Sequence, residues 1–208
     1  MIVDLSHLNP LNKKNKATVA DLQSRLNSEA QITLGNELEI SGLEETPNEN
    51  PTHLVLTVAA KLGIEYQDMD LNYVHRAGTK NQNIITNVSG NRKLHRSLVV
   101  AFTRQAKREE FLEHAKARKN LKSKDILNYG PENLIDVNER LTGKNRRLFR
   151  NARAFTVEHG YRFCWLRNGS IFIRKGDVKE GSPAIRIRSE NDLSRLLCAQ
   201  TKPDTVTT

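Results

Sequence analysis

The stretch FCWLRNGSIFIRKG, residues 163–176, contains the only tryptophan of the 208-residue chain. Its Asn168-Gly169 pair is a strong β-hairpin signal, because a type I′ turn needs a positive φ at both central positions. The turn also fixes the register, which we expect to pair Phe163 with Arg174, Cys164 with Ile173, Trp165 with Phe172, Leu166 with Ile171 and Arg167 with Ser170. The sequence therefore predicts one hairpin with a defined register.

This register gives the hairpin two different faces, because cross-strand partners lie on the same side of a sheet. The aliphatic face consists of Cys164, Leu166, Ile171 and Ile173, and we expect it to pack against a helix as core. The aromatic face consists of Phe163, Trp165, Arg167, Phe172 and Arg174. Its rings either stack on bases or form an ordinary buried pair beneath the last helix, and we favour the buried pair for Trp165 and Phe172. For Arg167 and Arg174 we favour contacts with phosphate.

The helix before the hairpin carries an unusual excess of cations. Thr142 is the expected N-cap, Gly160 ends the helix, and a stripe of Leu148, Ala152 and Phe155 faces inward. A solvated helix normally pairs its cations with acidic residues three or four positions away, but Glu158 is the only acidic residue here. We therefore assign contacts with nucleic acid to the basic residues of this helix: Lys144, Arg146, Arg147, Arg150 and Arg153.

The charge of the whole chain is distributed in the same way. The net charge is +9, and residues 140–175 contain 10 Lys/Arg but only 1 Asp/Glu. Such a segment repels itself unless an anionic partner is present, and phosphate contacts release counterions. Single-stranded RNA or DNA is therefore the expected partner. A membrane is not, because no basic segment presents a broad apolar face.

No stretch approaches the length of a membrane span, and the start of the chain lacks the layout of a signal peptide. We therefore expect a cytoplasmic or nuclear protein. The six histidines show no metal-ligand spacing, the two cysteines form no CxxC pair, and no nucleotide-binding or hydrolase motif is present. We expect a non-enzymatic protein without a metal or cofactor. A nuclease using His75 or His114 is the weaker alternative.

The region before the basic segment predicts a separate domain. Residues 1–35 are expected to contain a disordered tail and a short helix at 17–30, in which Val19, Leu22 and Leu26 form the remnant of a coiled coil capable of weak self-association. A β-α-β-β-α order follows, with a fourth strand expected at 121–125. The predicted domains are 36–125 and 133–200, with a strand at 135–138 opening the second and a disordered tail at 201–208.

Several motifs together resemble the first-open-reading-frame proteins of LINE-type retrotransposons and the related few-polyhedra (FP) proteins of baculoviruses. These motifs are LEISGL (38–43), VHRAG (74–78), FTRQAKREEFLEHAKARKNLKSKD (102–125), DVNERLT (136–142), WLRNGSIFIRK (165–175) and SPAIRIRSENDL (182–193). The resemblance implies an α+β chain in which an RNA-recognition-motif-like (RRM-like) β-α-β-β-α-β sandwich precedes a small α/β domain. It also implies binding of single-stranded nucleic acid, chaperone activity and coating of an element's RNA.

The resemblance carries over a set of basic residues in the first domain: Arg76, Lys80, Lys116, Arg118 and Lys119. Lys122 joins them from the same basic cluster. The long N-terminal coiled coil of the retrotransposon proteins is reduced here to a single short heptad. Tyr73 is the only ring expected to point outward from the first sheet, so binding there should be electrostatic and weakly sequence-specific. The alternative is an FP-like adaptor that docks acidic protein partners on its basic surfaces.

Overall fold

The computed structural model describes residues 8–78, 95–176 and 181–200. The chain is α+β, as predicted, and both of its sheets are antiparallel. It divides into two compact units. We call Gly35–Arg140 the central unit, and the described residues before and after it the terminal unit.

The central unit contains a four-stranded sheet in the order β2-β3-β1-β4. Its strands are β1 (Glu37–Ser41), β2 (Leu71–Arg76), β3 (Leu98–Phe102) and β4 (Asp136–Glu139). Its helices are α2 (Pro51–Leu62), α3 (Gln105–Ala117) and the short α4 (Lys124–Leu127). Leu38, Ile40, Leu98 and Val100 form the core side of the sheet together with apolar residues of α2 and α3.

Local sequence explains how the helices of this unit begin and end. Asn50 caps α2 by accepting a hydrogen bond from the backbone N–H of His53, and Gly63 ends the helix at a φ of +82°. Thr103, the expected cap of α3, does not cap it. Its hydroxyl donates instead to the carbonyl of Asp70, and Arg104 occupies the cap position without a side-chain hydrogen bond.

The fourth strand differs from its prediction. Residues 121–125 do not form a strand, and α4 begins there instead. The sheet is completed by β4, which had been assigned to the second domain, so the central unit extends to Arg140. Its place is fixed by burial: Glu139 forms a buried ion pair with Arg108 of α3 at 3.2 Å. Gly42 permits the approach of this segment, because a Cβ there would lie 2.1 Å from the carbonyl oxygen of Leu134.

The terminal unit contains a three-stranded sheet in the order β5-β6-β7. Its strands are β5 (Phe163–Arg167), β6 (Ser170–Arg174) and β7 (Ile185–Ile187). Its helices are α1 (Leu8–Thr33), α5 (Gly143–Glu158) and α6 (Glu190–Gln200). Helices α5 and α6 cover the aliphatic face of the hairpin, where one core joins Leu148, Ala152, Phe155, Ile171, Ile173, Ile187 and Leu193.

Helix α1 is longer than predicted and belongs to the terminal unit. Residues 8–16 are helical, although the sequence had predicted disorder there. Pro10 does not prevent this, because it lies in the first turn, where proline is tolerated. Asn27 and Gln31 fasten α1 to the start of α5. The Oε1 of Gln31 accepts from the backbone N–H of Thr142 at 3.1 Å and from the side-chain amide of Asn145 at 3.0 Å. The hydroxyl of Thr142 donates to Asn27 at 2.8 Å.

Candidate functional site

The hairpin has the predicted register throughout. Asn168 and Gly169 have φ values of +50° and +68°, as a type I′ turn requires. Ile171 and Ile173 are 2% and 0% exposed, so the aliphatic face is core, as expected. Thr142 caps α5 by accepting from the backbone N–H of Asn145, which confirms the predicted start of the helix behind this face.

The aromatic face lies on the side of the sheet away from that core. Trp165 and Phe172 stack in parallel, with ring centroids 5.6 Å apart, and both are partly exposed. The predicted ring pair is therefore present. Its expected place beneath the last helix is wrong, because Leu193 of α6 packs on the aliphatic face. The rings are thus available to a ligand at their partly exposed surface.

Arg174 is held on this face by the rings. Its guanidinium carbon lies 4.8 Å from the centroid of Phe163 and 5.6 Å from that of Trp165. Its Nε is buried and has no hydrogen-bond partner among the described residues. Stacking therefore positions the guanidinium without using its hydrogen-bond donors. Arg167, at the turn, is exposed and forms no ion pair with another described residue.

Sequence reasoning missed Arg186, which lies on the same face. Arg186 is opposite Phe172 in the register of β6 and β7, and its Nη2 donates to the hydroxyl of Ser170 at 2.8 Å. The alternation of Ile185, Arg186 and Ile187 was the available signal, because neighbouring strand residues point to opposite faces. The aromatic face therefore gains a third cation.

Four of the five basic residues assigned on α5 are exposed: Lys144, Arg146, Arg150 and Arg153. Lys144, Arg150 and Arg153 form no ion pair with a described carboxylate. The fifth, Arg147, lies 3.8 Å from Glu190. Arg146 and Arg150 are opposite the buried stripe of the helix. They therefore point away from the sheet, and the structure does not bring them together with the aromatic face. Arg153 differs, because its charge acts on the thiol of Cys164 in β5 and opposes the effect of burial on the pKa of that thiol.

Arg76 must be removed from the candidate interface. It is 8% exposed, and its five donors all bind protein groups. Two of these hydrogen bonds go to the carboxylate of Glu49, each at 2.7 Å, and three go to backbone carbonyls. Such an arginine has no donor left for a phosphate. Lys80 lies outside the described residues.

The basic cluster after α3 is present in part. Lys116, Arg118 and Lys119 are exposed and form no ion pair with another described residue. Lys122 binds Glu132 at 2.8 Å, and this hydrogen bond raises the pKa of the lysine and lowers that of the glutamate. Lys122 is therefore already neutralised, which leaves three available cations of the four.

The outer face of the central sheet is acidic where an anionic strand would lie. Glu37 and Tyr73 share this face, and the hydroxyl of Tyr73 donates to Glu37 at 2.6 Å, which raises the pKa of the tyrosine. Arg140 binds Glu39 at 3.0 Å and also lies 3.8 Å from Glu37. The exposed position expected for Tyr73 is confirmed, but its hydroxyl is engaged by Glu37 and its ring lies against that of His75.

The terminal unit also has a counterpart among known protein families. Residues 142–197 match the family model for baculovirus FP protein domain 2. The match begins at the cap of α5 and covers the hairpin, β7 and most of α6, and it supports a relation to the FP family. No curated protein matches the chain.

No group of three or more His, Cys, Asp or Glu side chains within residues 8–78, 95–176 and 181–200 is arranged to hold a metal ion. Among those residues, no helix is both long and apolar enough to span a bilayer. Cys164 is half-buried at the edge of the hairpin, and burial raises the pKa of its thiol to about 11. The thiol is therefore protonated at neutral pH and is a poor nucleophile.

Proposed function

We propose that the chain is a non-enzymatic protein that binds single-stranded nucleic acid, preferably RNA, through the terminal unit. The observation that carries the proposal is the aromatic face, where partly exposed Trp165 and Phe172 lie beside arginines whose donors are available. Rings stack on unpaired bases of any sequence, whereas a duplex hides those faces. The arginines provide the countercharge for phosphates.

The cations of α5 and those after α3 add sequence-independent affinity in this proposal, because each exposed basic side chain can neutralise a phosphate. The central unit has the element order of an RRM-like domain, and we propose that relation for it. Its acidic outer face argues against base binding in the usual RRM position. We therefore give the central unit a secondary role through Lys116, Arg118 and Lys119.

A finer form of the proposal is a coat or chaperone of a retroelement ribonucleoprotein, in the cytoplasm or nucleus. The alternative is an FP-like adaptor that docks acidic proteins, and the match to FP protein domain 2 supports this alternative. Both roles use the same cations. They differ in the rings, because an acidic peptide needs no stacking platform.

The deciding experiment compares single- and double-stranded RNA and DNA of one sequence with an acidic peptide, by fluorescence anisotropy at constant salt. We expect the single strands to bind most tightly. Combined Arg167→Ala and Arg174→Ala substitution should weaken that binding, whereas Lys61→Ala, an exposed control on α2, should not. An acidic peptide that binds as tightly as the single strands would favour the adaptor. Failure to bind any nucleic acid would overturn the proposal.

A further inference from the structure

A shallow depression of about 320 Å³ lies at the edge of the terminal sheet. It is lined by Arg162, Phe163, Cys164, Trp165 and Arg174. Strand β5, which supplies three of these residues, is the outer strand of the sheet, so the depression is at an open edge. Its volume is at the lower end of the ~300–1,000 Å³ typical of small-ligand sites. One planar ring system is therefore a suitable occupant.

The side chains around the depression offer hydrogen-bond donors but hardly any acceptors. Among the described residues that line it, the charged groups are the guanidiniums of Arg162 and Arg174, and none is a carboxylate or an amide side chain. A guanidinium donates and never accepts, and the protonated thiol of Cys164 is only a weak partner. The depression therefore suits a flat ligand that presents acceptors along one edge.

Arg174 is oriented in advance for such a ligand. Contacts with Phe163 and Trp165 hold its guanidinium, and no hydrogen bond to another described side chain or carbonyl uses its fork. A fork that is already fixed loses little further freedom when it donates two parallel hydrogen bonds. This is the opposite of Arg76, whose five donors are used within the protein.

We propose that this depression binds a single unpaired guanine of the bound strand, with Arg174 donating to the O6 and N7 atoms of the base. The inference rests on the proposed function and specifies its substrate. Guanine presents two adjacent acceptors on that edge, whereas adenine places an amino donor beside N7, which would face the donors of the arginine. Stacking on Trp165 serves every base, so the preference comes from Arg174.

The test uses the full chain and short oligouridines that carry one central guanosine, adenosine or 7-deazaguanosine. Affinity is measured by anisotropy, and occupancy of the depression by quenching of Trp165, the only tryptophan. We expect guanosine to bind at least ~5-fold more tightly than adenosine, the lower end of what a bidentate arginine contact provides. Replacing N7 of guanine by carbon should bring the affinity to the adenosine level.

Two variants separate base recognition from charge. Arg174→Lys keeps the charge but removes the planar fork, so it should abolish the difference between guanosine and adenosine. Arg167→Lys, on the same face but outside the depression, should leave the ratio of the two affinities unchanged. Thermal melting establishes that both variants fold. If Arg174→Lys does not fold, the comparison of guanosine with 7-deazaguanosine on the wild type tests whether the protein recognises N7 of the base.

The outcomes distinguish the two proposals. Equal affinity for guanosine and adenosine in the wild type, with binding retained, would overturn the guanine site and leave the proposed function standing. A preference that persists in Arg174→Lys would also overturn it. Absence of binding to every oligonucleotide would refute both.

Discussion

The arginines of this chain differ in what their guanidinium donors contact. All five donors of Arg76 are bonded within the protein, whereas among the described residues the side chain of Arg174 is held by the rings of Phe163 and Trp165. Both residues were assigned to the interface from sequence. The difference could not be predicted, because it depends on Glu49 and on carbonyls that lie far from Arg76 along the chain.

Trp165 provides the first prediction at this scale. Trp165→Ala should lower the affinity for single strands by ~1–3 kcal/mol, because it removes a stacking surface. It should also lower the free energy of unfolding, by the ~0.5–1.5 kcal/mol that an aromatic pair contributes beyond its burial plus the loss of the buried part of the ring. Ile173→Ala, from the fully buried face, should cost ~2–5 kcal/mol of stability. Denaturant titration and anisotropy measure both quantities, and a Trp165→Ala protein as unstable as Ile173→Ala would contradict the assignment.

Cys164 gives a pH dependence with a defined sign. Burial raises the pKa of its thiol from 9.0 to about 11, so in the unfolded chain this thiol loses its proton first. Its contribution to stability is complete below the unfolded pKa and is lost as the pH rises through the folded pKa. The melting temperature of the wild type should therefore fall more steeply between pH 9.0 and about 11 than that of Cys164→Ala. Cys198→Ala is the control, and a slope shared by all three proteins would refute the effect.

Among the elements, the hairpin was predicted in full and β4 was not. Asn168-Gly169 specifies its turn locally, and the alternation of side chains then determines both faces. For β4, local sequence predicted a strand near the right position but not which sheet it joins. Its partner β1 lies almost a hundred residues earlier, and the buried pair of Glu139 with Arg108 is invisible in a local pattern.

The contact between α1 and the hairpin turn leads to a prediction about two glycines. Gly169 and Gly160 both have a φ of +68°, but a Cβ on Gly169 would lie 2.7 Å from Gln31, whereas one on Gly160 would meet nothing within 4 Å. Gly160→Ala should therefore cost only the left-handed strain, ~1–2 kcal/mol. Gly169→Ala should cost more, because hydrogen bonds to Thr142 and Asn145 hold Gln31 in place.

Adding Gln31→Ala tests the cause of that excess. The double variant should lose less stability than the sum of its two single variants, since the clash disappears with the side chain. Thermal melting of the four proteins measures the coupling. Strict additivity would show that α1 does not press on the turn.

At the scale of the whole molecule, charge predicts how binding responds to salt. Binding that neutralises about six phosphates should weaken by ~10³-fold or more between about 50 and about 200 mM salt. Anisotropy titrations at several salt concentrations measure the slope. A flat response would refute the electrostatic mechanism, whatever the fate of the guanine site.

Self-association is also predicted at this scale. The apolar residues of α1 are largely exposed, at 52% for Val19, 50% for Leu22 and 69% for Leu26. These three residues span only about one heptad, whereas a stable coiled coil needs several. We therefore expect a monomer or weak oligomer at micromolar concentration. Light scattering of the wild type and Leu26→Lys should give the same mass. A stable trimer dissociated by that substitution would contradict this expectation.

The division of the chain into two units could be predicted only roughly. A composition change and Pro131 indicated a boundary near residue 130, but the central unit continues to Arg140. The packing of α1 with the C-terminal part of the chain could not be predicted at all. It depends on side-chain amides of Asn27 and Gln31 that meet Thr142 and Asn145, residues more than a hundred positions later.

The network between α1 and α5 has a consequence for how the chain can be divided. Gln31 accepts a hydrogen bond from the backbone N–H of Thr142. The end of the first segment of the terminal unit and the start of its second segment are therefore neighbours. Within the central unit, the backbone N–H of Arg140 donates to the carbonyl of Glu37, so its own ends also meet. This is the geometry of a domain inserted into a loop of a parent domain. The central unit should therefore be removable, and a short linker that joins Leu34 to Leu141 would keep the terminal unit continuous. Residues 35–140 could be produced by themselves or circularly permuted.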